Sequence, residues 1–351
     1  MPGVNIVGTG LYVPGEPVPN AALERVMDTS DSWIVQRTGI RQRHYAANGV
    51  GASDLGTKAA ERALADAGLT AGDIDYLIFG TMTPDYLFPG SGGLCGAKLG
   101  VPGVPALDLR QQCALVPFGL QVADGLVNTG SAETVLFVAG EAHAGFMPWS
   151  AWDVVRGSRR TVPQEEYERA TRHRGIAVVF GDGAGAMVLR RASQPGRGLL
   201  GTRLLTDGRD RDFIQFSAAG FRRLPAVHPA MLARDEHIPT MRGPELFKRA
   251  VKELPRVVSD LCRAHGVEIR DIDCVIAHQA NERINEAVRQ SLGLPPAKMP
   301  SNIANYGNTS GATIFILLDE LRRDGRIGPG DLLCFVALGA GLHWGASLLR
   351  L

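Results

Sequence analysis

The sequence predicts an α/β protein built from two copies of one unit, and three observations carry that expectation. AGDIDYLIFG at 71–80 matches IRDIDCVIAH at 269–278, so Asp73 and Asp271 stand 198 positions apart. ETVLFVAG at 133–140 matches DLLCFVAL at 331–338 at the same spacing of 198. Short apolar runs alternate with longer amphipathic stretches and are joined by Gly and Asp turns, the pattern of buried strands covered by helices.

Taken along the chain, DLGTKAAERALADAG reads as an amphipathic helix and YLIFG as a buried strand. After LRQQ the run CALVPFGLQVADGLV is apolar at 115, 116, 118, 120, 122, 123, 126 and 127, a mostly buried helix that begins at or near Cys113. The repeat sets Cys113 opposite Gly311, so CALVPFGLQ and GATIFILLD are expected as equivalent helices. TVLFVAG is the next strand. GDGAGA at 181–186 lacks the G-x-G-x-x-G order and passes straight into MVL, so it reads as the start of a strand rather than a dinucleotide loop. ELFKRAVKELPRVVSDLCRAHG is the long helix of the second copy.

The spacing breaks once. GAGAMVLR at 183–190 matches HWGASLLR at 343–350 at a distance of only 160, so the first copy carries 38 additional residues. They fall around 142–176, a stretch with two of the four tryptophans and a dense Arg/Glu cluster. The boundaries implied are a first half at 1–190 with this insertion and a second at 191–351. The insertion reads either as a lid or docking surface, with Arg159 and Arg160 as its exposed charges, or as a helical excursion that thickens a subunit contact.

Composition fits this picture. With 351 residues, 45% hydrophobic and 21% charged, the chain is long enough for two cores and has no signature of disorder. A net charge of +1 supplies no general field for nucleic acid, and no nucleic-acid motif is present. No apolar run is long enough for a membrane helix, and the opening MPGVNIVGTG has no basic segment ahead of an apolar one, so a cytoplasmic protein is expected. The five cysteines are scattered with no CxxC and no metal-ligand spacing, which predicts neither a disulfide framework nor zinc.

Three distant segments each offer one polar group suited to acyl chemistry: Cys113 in DLRQQCALVPFGLQ, His278 in CVIAHQANERI and Asn308 in NYGNTSGAT. A cysteine at a helix start is expected to have a lowered pKa, because unpaired N–H groups and the dipole favour a thiolate. Singly, each residue is as readily a core cysteine, a satisfied histidine or a turn asparagine. Their combination is what points to thioester chemistry.

That combination, with SDSWIVQRTGIRQRH at 30–44, TMTPDYLFPGSG, VVFGDGAGAMVL, HIPTMRGPELFKRAV, DGRIGPGD and the closing GAGLHWGASLLR, resembles the β-ketoacyl-ACP synthase III branch of the thiolase superfamily nearly end to end. The resemblance implies a thiolase fold, a five-layer αβαβα sandwich from two pseudo-repeated halves. It implies an acyltransferase in which Cys113 takes an acyl group from an acyl-CoA or acyl carrier protein. A malonyl-type thioester then loses CO2, its enolate held by His278 and Asn308, and attacks the acyl-cysteine to give a β-ketoacyl product for fatty-acid or polyketide biosynthesis. The oxyanion of the first step would be held by the backbone N–H groups of Cys113 and Ala340, the latter standing where the family usually has glycine. No metal or redox cofactor is implied, coenzyme A and phosphopantetheine thioesters being substrates.

Further positions carry over from the resemblance. Trp33 and Arg37 match coenzyme A contacts, and Thr29, Phe247, Ala280, Asn281 and Ile284 match channel-lining residues, the Asn281 amide orienting the pantetheine arm or a water. Lys248 and Arg283 match basic residues at the channel mouth that meet phosphate or an acyl carrier protein. Phe88 matches a residue that shapes the partner's acyl pocket, which implies a homodimer. Departures lie at Gln111 and Gln112, at Pro117, which could bend its helix, at Arg242 and Pro244, and at His343, a second imidazole that could serve an alcohol acceptor. Two rival readings follow: acyl transfer to an oxygen or nitrogen nucleophile, and an inactive partner subunit of another ketosynthase. A non-decarboxylating condensing enzyme would have glutamate in place of Phe88.

Overall fold

The computed structural model describes residues 3–351. The first half forms a five-stranded sheet from β1 (Val4–Tyr12), β2 (Tyr76–Gly80), β3 (Ala106–Leu109), β4 (Thr134–Glu141) and β5 (Gly183–Arg191), in the order β1-β5-β4-β2-β3. The second half forms a four-stranded sheet from β6 (Gly198–Thr206), β7 (Cys274–Ala277), β8 (Leu332–Gly339) and β9 (His343–Arg350), in the order β7-β8-β9-β6. The corresponding pairs have the same sense in both: β4 and β8 each run parallel to one neighbour (β2, β7) and antiparallel to the other (β5, β9).

Helix α1 (Asp31–Thr38) lies in the N-terminal loop region, and helix α2 (Ala52–Asp66) covers the outer face of the first sheet beside α3 (Ser91–Lys98). Between the sheets run α4 (Leu115–Asn128) and, from the second copy, the apolar helix at Thr313–Arg323. On the far side the second sheet is covered by a helix at Gly243–Ala264 that touches β6, β8 and β9. Outer helices, sheet, central helices, sheet and outer helices make five layers, the thiolase fold. The central helices are apolar nearly all round because both of their sides meet a sheet. Phe137 and Phe315 meet edge to face between them at 4.9 Å.

Pro117 is the third residue of α4, where its missing N–H has no intrahelical acceptor anyway, and the helix runs unbroken to Asn128. The 142–176 segment is no free flap. It folds into short helical pieces, including α5 (Gln164–Arg172), and buries Phe146, Trp149, Val154 and Ala170 against Leu23, Met27, Ile34 and Tyr45 of the N-terminal loops. This third core anchors α1 and its flanking loops. Arg159 and Arg160 remain on its outer surface, Arg160 paired with Asp153 at 2.8 Å.

The central packing leaves no room at Gly119 of α4, where an added Cβ would stand 2.0 Å from the Phe137 ring. Gly119→Val is therefore expected to destabilise the protein by about 1–3 kcal/mol or more, seen as a lower urea midpoint.

Candidate active site

The residue before each central helix is bent into a left-handed conformation by a tight turn. Gln112 has φ +50° and Ser310 has φ +47°, and these two stand 198 positions apart, as the repeat demands. Such backbone costs about 1 kcal/mol or more for a residue with a Cβ. The two turns pack against each other, and each presents the residue that follows it, Cys113 or Gly311, at the head of a central helix.

Cys113 is 7% exposed, and its Sγ lies 3.4 Å from the Ser310 hydroxyl. The expectation of a depressed thiol pKa is reversed. Burial pushes it up to about 12, the Ser310 hydroxyl offsets part of that rise, and the Glu141 carboxylate adds a smaller one. Near neutrality the sulfur is therefore held as a thiol.

His278 follows β7, which carries it to the cavity beneath the second sheet's edge, and its own N–H is held by the Val336 carbonyl at 2.9 Å. Burial lowers its pKa to about 3, so the imidazole is neutral throughout the physiological range. Its Nδ1 lies 2.7 Å from the Thr313 hydroxyl, which also lies 3.0 Å from the Ser310 carbonyl. The hydroxyl has a single proton to donate: given to the Ser310 carbonyl, it leaves the ring proton on Nδ1, and given to Nδ1 along the shorter contact, it leaves the ring proton on Nε2. Asn308 accepts the Ser310 N–H at 2.7 Å through Oδ1, leaving its Nδ2 free to donate.

Cys113, His278 and Asn308 line one cavity of about 620 Å³ with a largely apolar wall that includes Met82, Phe180, Leu246 and Leu338. Ala340 lines it as well, and its backbone is not in the left-handed region, so alanine is accommodated. Gly339 keeps the turn open: a Cβ there would stand 2.8 Å from the amide nitrogens of Cys113 and Ala114.

Arg37, Phe247, Lys248, Ala280, Asn281, Arg283 and Ile284 border the same cavity, as do Gln112 and Pro244. Asn281 caps the helix at Glu282–Ser291 by accepting the Arg283 N–H, and donates to the Arg37 carbonyl at 2.9 Å. One N–H and one oxygen lone pair of the amide assigned to a pantetheine arm are thus engaged in the fold. Trp33 does not itself line the cavity but lies beside Arg37, which does, with the guanidiniums of Arg37 and Arg174 over its ring at 4.4 and 4.7 Å. Arg174 lies in the extra segment and was hidden in its general run of charge.

Other expected residues lie apart. Thr29, just ahead of α1, has a buried hydroxyl without a partner among the described residues and does not line the cavity. Phe88 is 76% exposed beside Tyr86 and Leu87 and does not enter the cavity of its own chain. His343 bonds the Thr206 hydroxyl at 2.9 Å and packs edge-on against Phe118, so it is a packed histidine outside the cavity lining. Arg242 is engaged by Asp212 and Glu245. All five cysteines are free and buried. Ser310, Thr313 and Glu141 belong to the site without any motif that marks them along the chain. The signal available for Ser310 was its repeat position opposite Gln112.

Comparison with known proteins agrees with this geometry. Residues 107–208 match the family model of 3-oxoacyl-[acyl-carrier-protein] synthase III, and residues 262–351 match the model of its C-terminal part. The chain is 39% identical to the β-ketoacyl-[acyl-carrier-protein] synthase III of Rhodospirillum rubrum, over 99% of this chain and 98% of that protein. It superposes on the 3-oxoacyl-[acyl-carrier-protein] synthase III of Aquifex aeolicus with a TM-score of 0.83 and 34% identity, covering 99% and 100% of the two chains. It also matches the priming β-ketosynthase of the R1128 polyketide pathway at a TM-score of 0.85 and 26% identity, covering 100% and 96%. A duplicated fold, a cysteine at the head of a central helix and relatives alike over the whole length lead to one conclusion: the chain belongs to the β-ketoacyl-[acyl-carrier-protein] synthase III family, a family of acyltransferases.

Proposed function

We propose that this protein condenses an acyl thioester with a malonyl-type thioester through an acyl-Cys113 intermediate. The observation that carries the reading is the meeting of Cys113, His278 and Asn308 on one apolar-walled cavity. Cys113 Sγ attacks the acyl carbonyl, and the oxyanion is met by N–H groups at Cys113 and Ala340, in the space that Gly339 leaves open. The donor's thiol departs. A malonyl-type thioester then enters and loses CO2, and the enolate oxygen accepts hydrogen bonds from Asn308 Nδ2 and, with the Thr313 hydroxyl proton turned onto His278 Nδ1, from His278 Nε2. A neutral imidazole suits this role, because it donates without surrendering its proton. The carbanion attacks the acyl-cysteine and frees the sulfur. The chemistry needs no metal or redox cofactor.

The mouth suits a coenzyme A or phosphopantetheine donor. Trp33 offers an aromatic face, Arg37 and Arg174 offer charge for phosphate, and Lys248 with Arg283 offers a basic rim for an acidic acyl carrier protein. Thr29, Phe247, Ala280 and Ile284 retain their assignment to the acyl-donor channel, Thr29 from its margin. The exposed Tyr86-Leu87-Phe88 patch supports a homodimer in which Phe88 reaches the partner's acyl pocket. Among the described residues no helix is long and apolar enough to cross a membrane, and a cytoplasmic enzyme of fatty-acid or polyketide synthesis is the setting we propose.

Intact-protein mass spectrometry with a panel of acyl-CoAs and acyl carrier proteins tests the reading. An increment absent from Cys113→Ala and discharged by malonyl-thioester is the expected result. Discharge by alcohols or amines instead would establish simple acyl transfer, and no increment with any donor would leave an inactive subunit. His278→Ala and Asn308→Ala are expected to accept the acyl group but to slow its discharge by on the order of a hundredfold. With His278 neutral above its lowered pKa, discharge should show no histidine limb between about pH 5 and pH 8; a fall in rate on acidification centred near 6.5 would mean an ordinary, titrating imidazole. Thr313→Val removes the group that holds the ring tautomer and is expected to slow discharge by on the order of tenfold, whereas Thr313→Ser keeps it.

A further inference from the structure

A buried thiol needs somewhere to send its proton, and the route lies on the side of the cysteine away from His278's role. The Ser310 hydroxyl touches Cys113 Sγ at 3.4 Å, and the next residue along the turn, Gly311, donates its N–H to the Glu141 carboxylate at 3.4 Å, so the hydroxyl stands between the thiol and that carboxylate's surroundings and favours its charge without a direct hydrogen bond to it. Glu141 is the last residue of β4 and is fully buried. It accepts from the Thr83 hydroxyl at 2.9 Å, the Met82 N–H at 3.1 Å and the Gly311 N–H at 3.4 Å.

The repeat explains why a carboxylate stands there. Glu141 occupies in the first half the position that Gly339 occupies in the second, 198 residues on. Gly339 leaves space against the Cys113 N–H, whereas Glu141 puts an oxygen against the equivalent N–H of Gly311. One turn keeps its amide for a substrate oxyanion, and its twin spends the amide on a protein carboxylate.

The far side of Glu141 is equally specific. His143 Nδ1 lies 2.7 Å from the Gly181 carbonyl, which can only accept, so the ring proton is on Nδ1. Its Nε2 is then a bare lone pair, buried without a partner, 4.0 Å from Glu141 Oε2. A proton arriving on Glu141 would find an acceptor already in place. The other titratable groups nearby are Cys113 and, beyond His143, the buried Asp182. The Thr81 and Thr83 hydroxyls complete the surroundings and carry no charge.

We propose that Ser310 and Glu141 form the proton path that activates Cys113, with His143 steadying the proton on the carboxyl. This rests on the acylation of Cys113 proposed above. As the Cys113 S–H bond breaks, its proton passes to Ser310 Oγ, and the Ser310 hydroxyl proton passes to Glu141. The sulfur pair forms the bond to the acyl carbonyl carbon, the tetrahedral adduct collapses with cleavage of the donor's C–S bond, and the proton returns by the same path to the departing thiolate. Nothing is oxidised or reduced. Ser310 touches the reacting sulfur; Glu141 acts through Ser310. Burial raises the Glu141 pKa to about 7, so the carboxylate is a competent acceptor near neutrality.

The test follows two rates against pH, acyl-enzyme formation by quenched mass spectrometry and alkylation of Cys113 by iodoacetamide. Because Glu141 must be ionised to accept, both should rise through about pH 7 and level off above it. In Glu141→Gln and Ser310→Gly acylation near neutrality should fall by on the order of a hundredfold, and the rising limb of both rates should move to higher pH. Ser310→Gly relieves the left-handed backbone, so it keeps the test available should Glu141→Gln fold poorly. An unmoved limb with wild-type rates in Ser310→Gly would overturn the proposal. If no donor acylates the wild-type protein, the condensation reading fails, while alkylation still decides the proton path.

Discussion

Ser310 is the residue on which the site's geometry turns. Its left-handed backbone puts the N–H on the Asn308 carboxamide, the hydroxyl on the Cys113 thiol and the carbonyl on the Thr313 hydroxyl, which in turn holds His278. Each of the three chemical groups is therefore one or two hydrogen bonds from a single strained residue. The strain persists because two central helices, packed between two sheets, determine where the turn must be. Relaxing that turn would free Asn308, His278 and the thiol together.

The duplication produces this arrangement and also breaks its symmetry. Two identical turns would give two identical sites. Here the pairs Cys113 and Gly311, Gln112 and Ser310, and Gly339 and Glu141 have diverged, so that one turn carries a thiol and an open amide while the other carries a hydroxyl and a neighbouring carboxylate. His278 and Asn308 reach the same cavity because β7 and the turn at Asn308 end at its wall. Low dielectric within the cavity then sets the protonation states: burial keeps the imidazole neutral, keeps the sulfur protonated and raises the carboxylate toward neutrality. Neutral donors and a proton held close at hand suit the making and breaking of thioesters without bulk water.

The extra segment is built into the fold through the loops that carry α1. Its tryptophans and aliphatic side chains form a core with the N-terminal loops, which fixes α1 and with it Trp33 and Arg37. From the same segment Arg174 comes to the Trp33 ring and bonds the Asp28 carbonyl at 2.7 Å. An aromatic ring flanked by two guanidiniums thus stands beside Arg37, which borders the apolar-walled cavity.

The duplicated α/β plan was legible before any contact was known, because periodicity and a constant spacing are local properties of the chain. The same spacing located both central helices and the break after β4, and resemblance of motifs singled out Cys113, His278 and Asn308, which do converge. What the tertiary structure alone decided are quantities that depend on which groups share a space. A helix-start cysteine read in isolation promises a thiolate, but the surrounding protein removes the water that would stabilise the charge. Asn281 and His343 looked available on paper and are engaged by Arg37, Arg283 and Thr206. Ser310, Thr313 and Glu141 carry no local signature at all. They matter only because folding brings residues from opposite halves within a hydrogen bond of one another, and burial, protonation and tautomer follow from that meeting rather than from the order of residues along the chain.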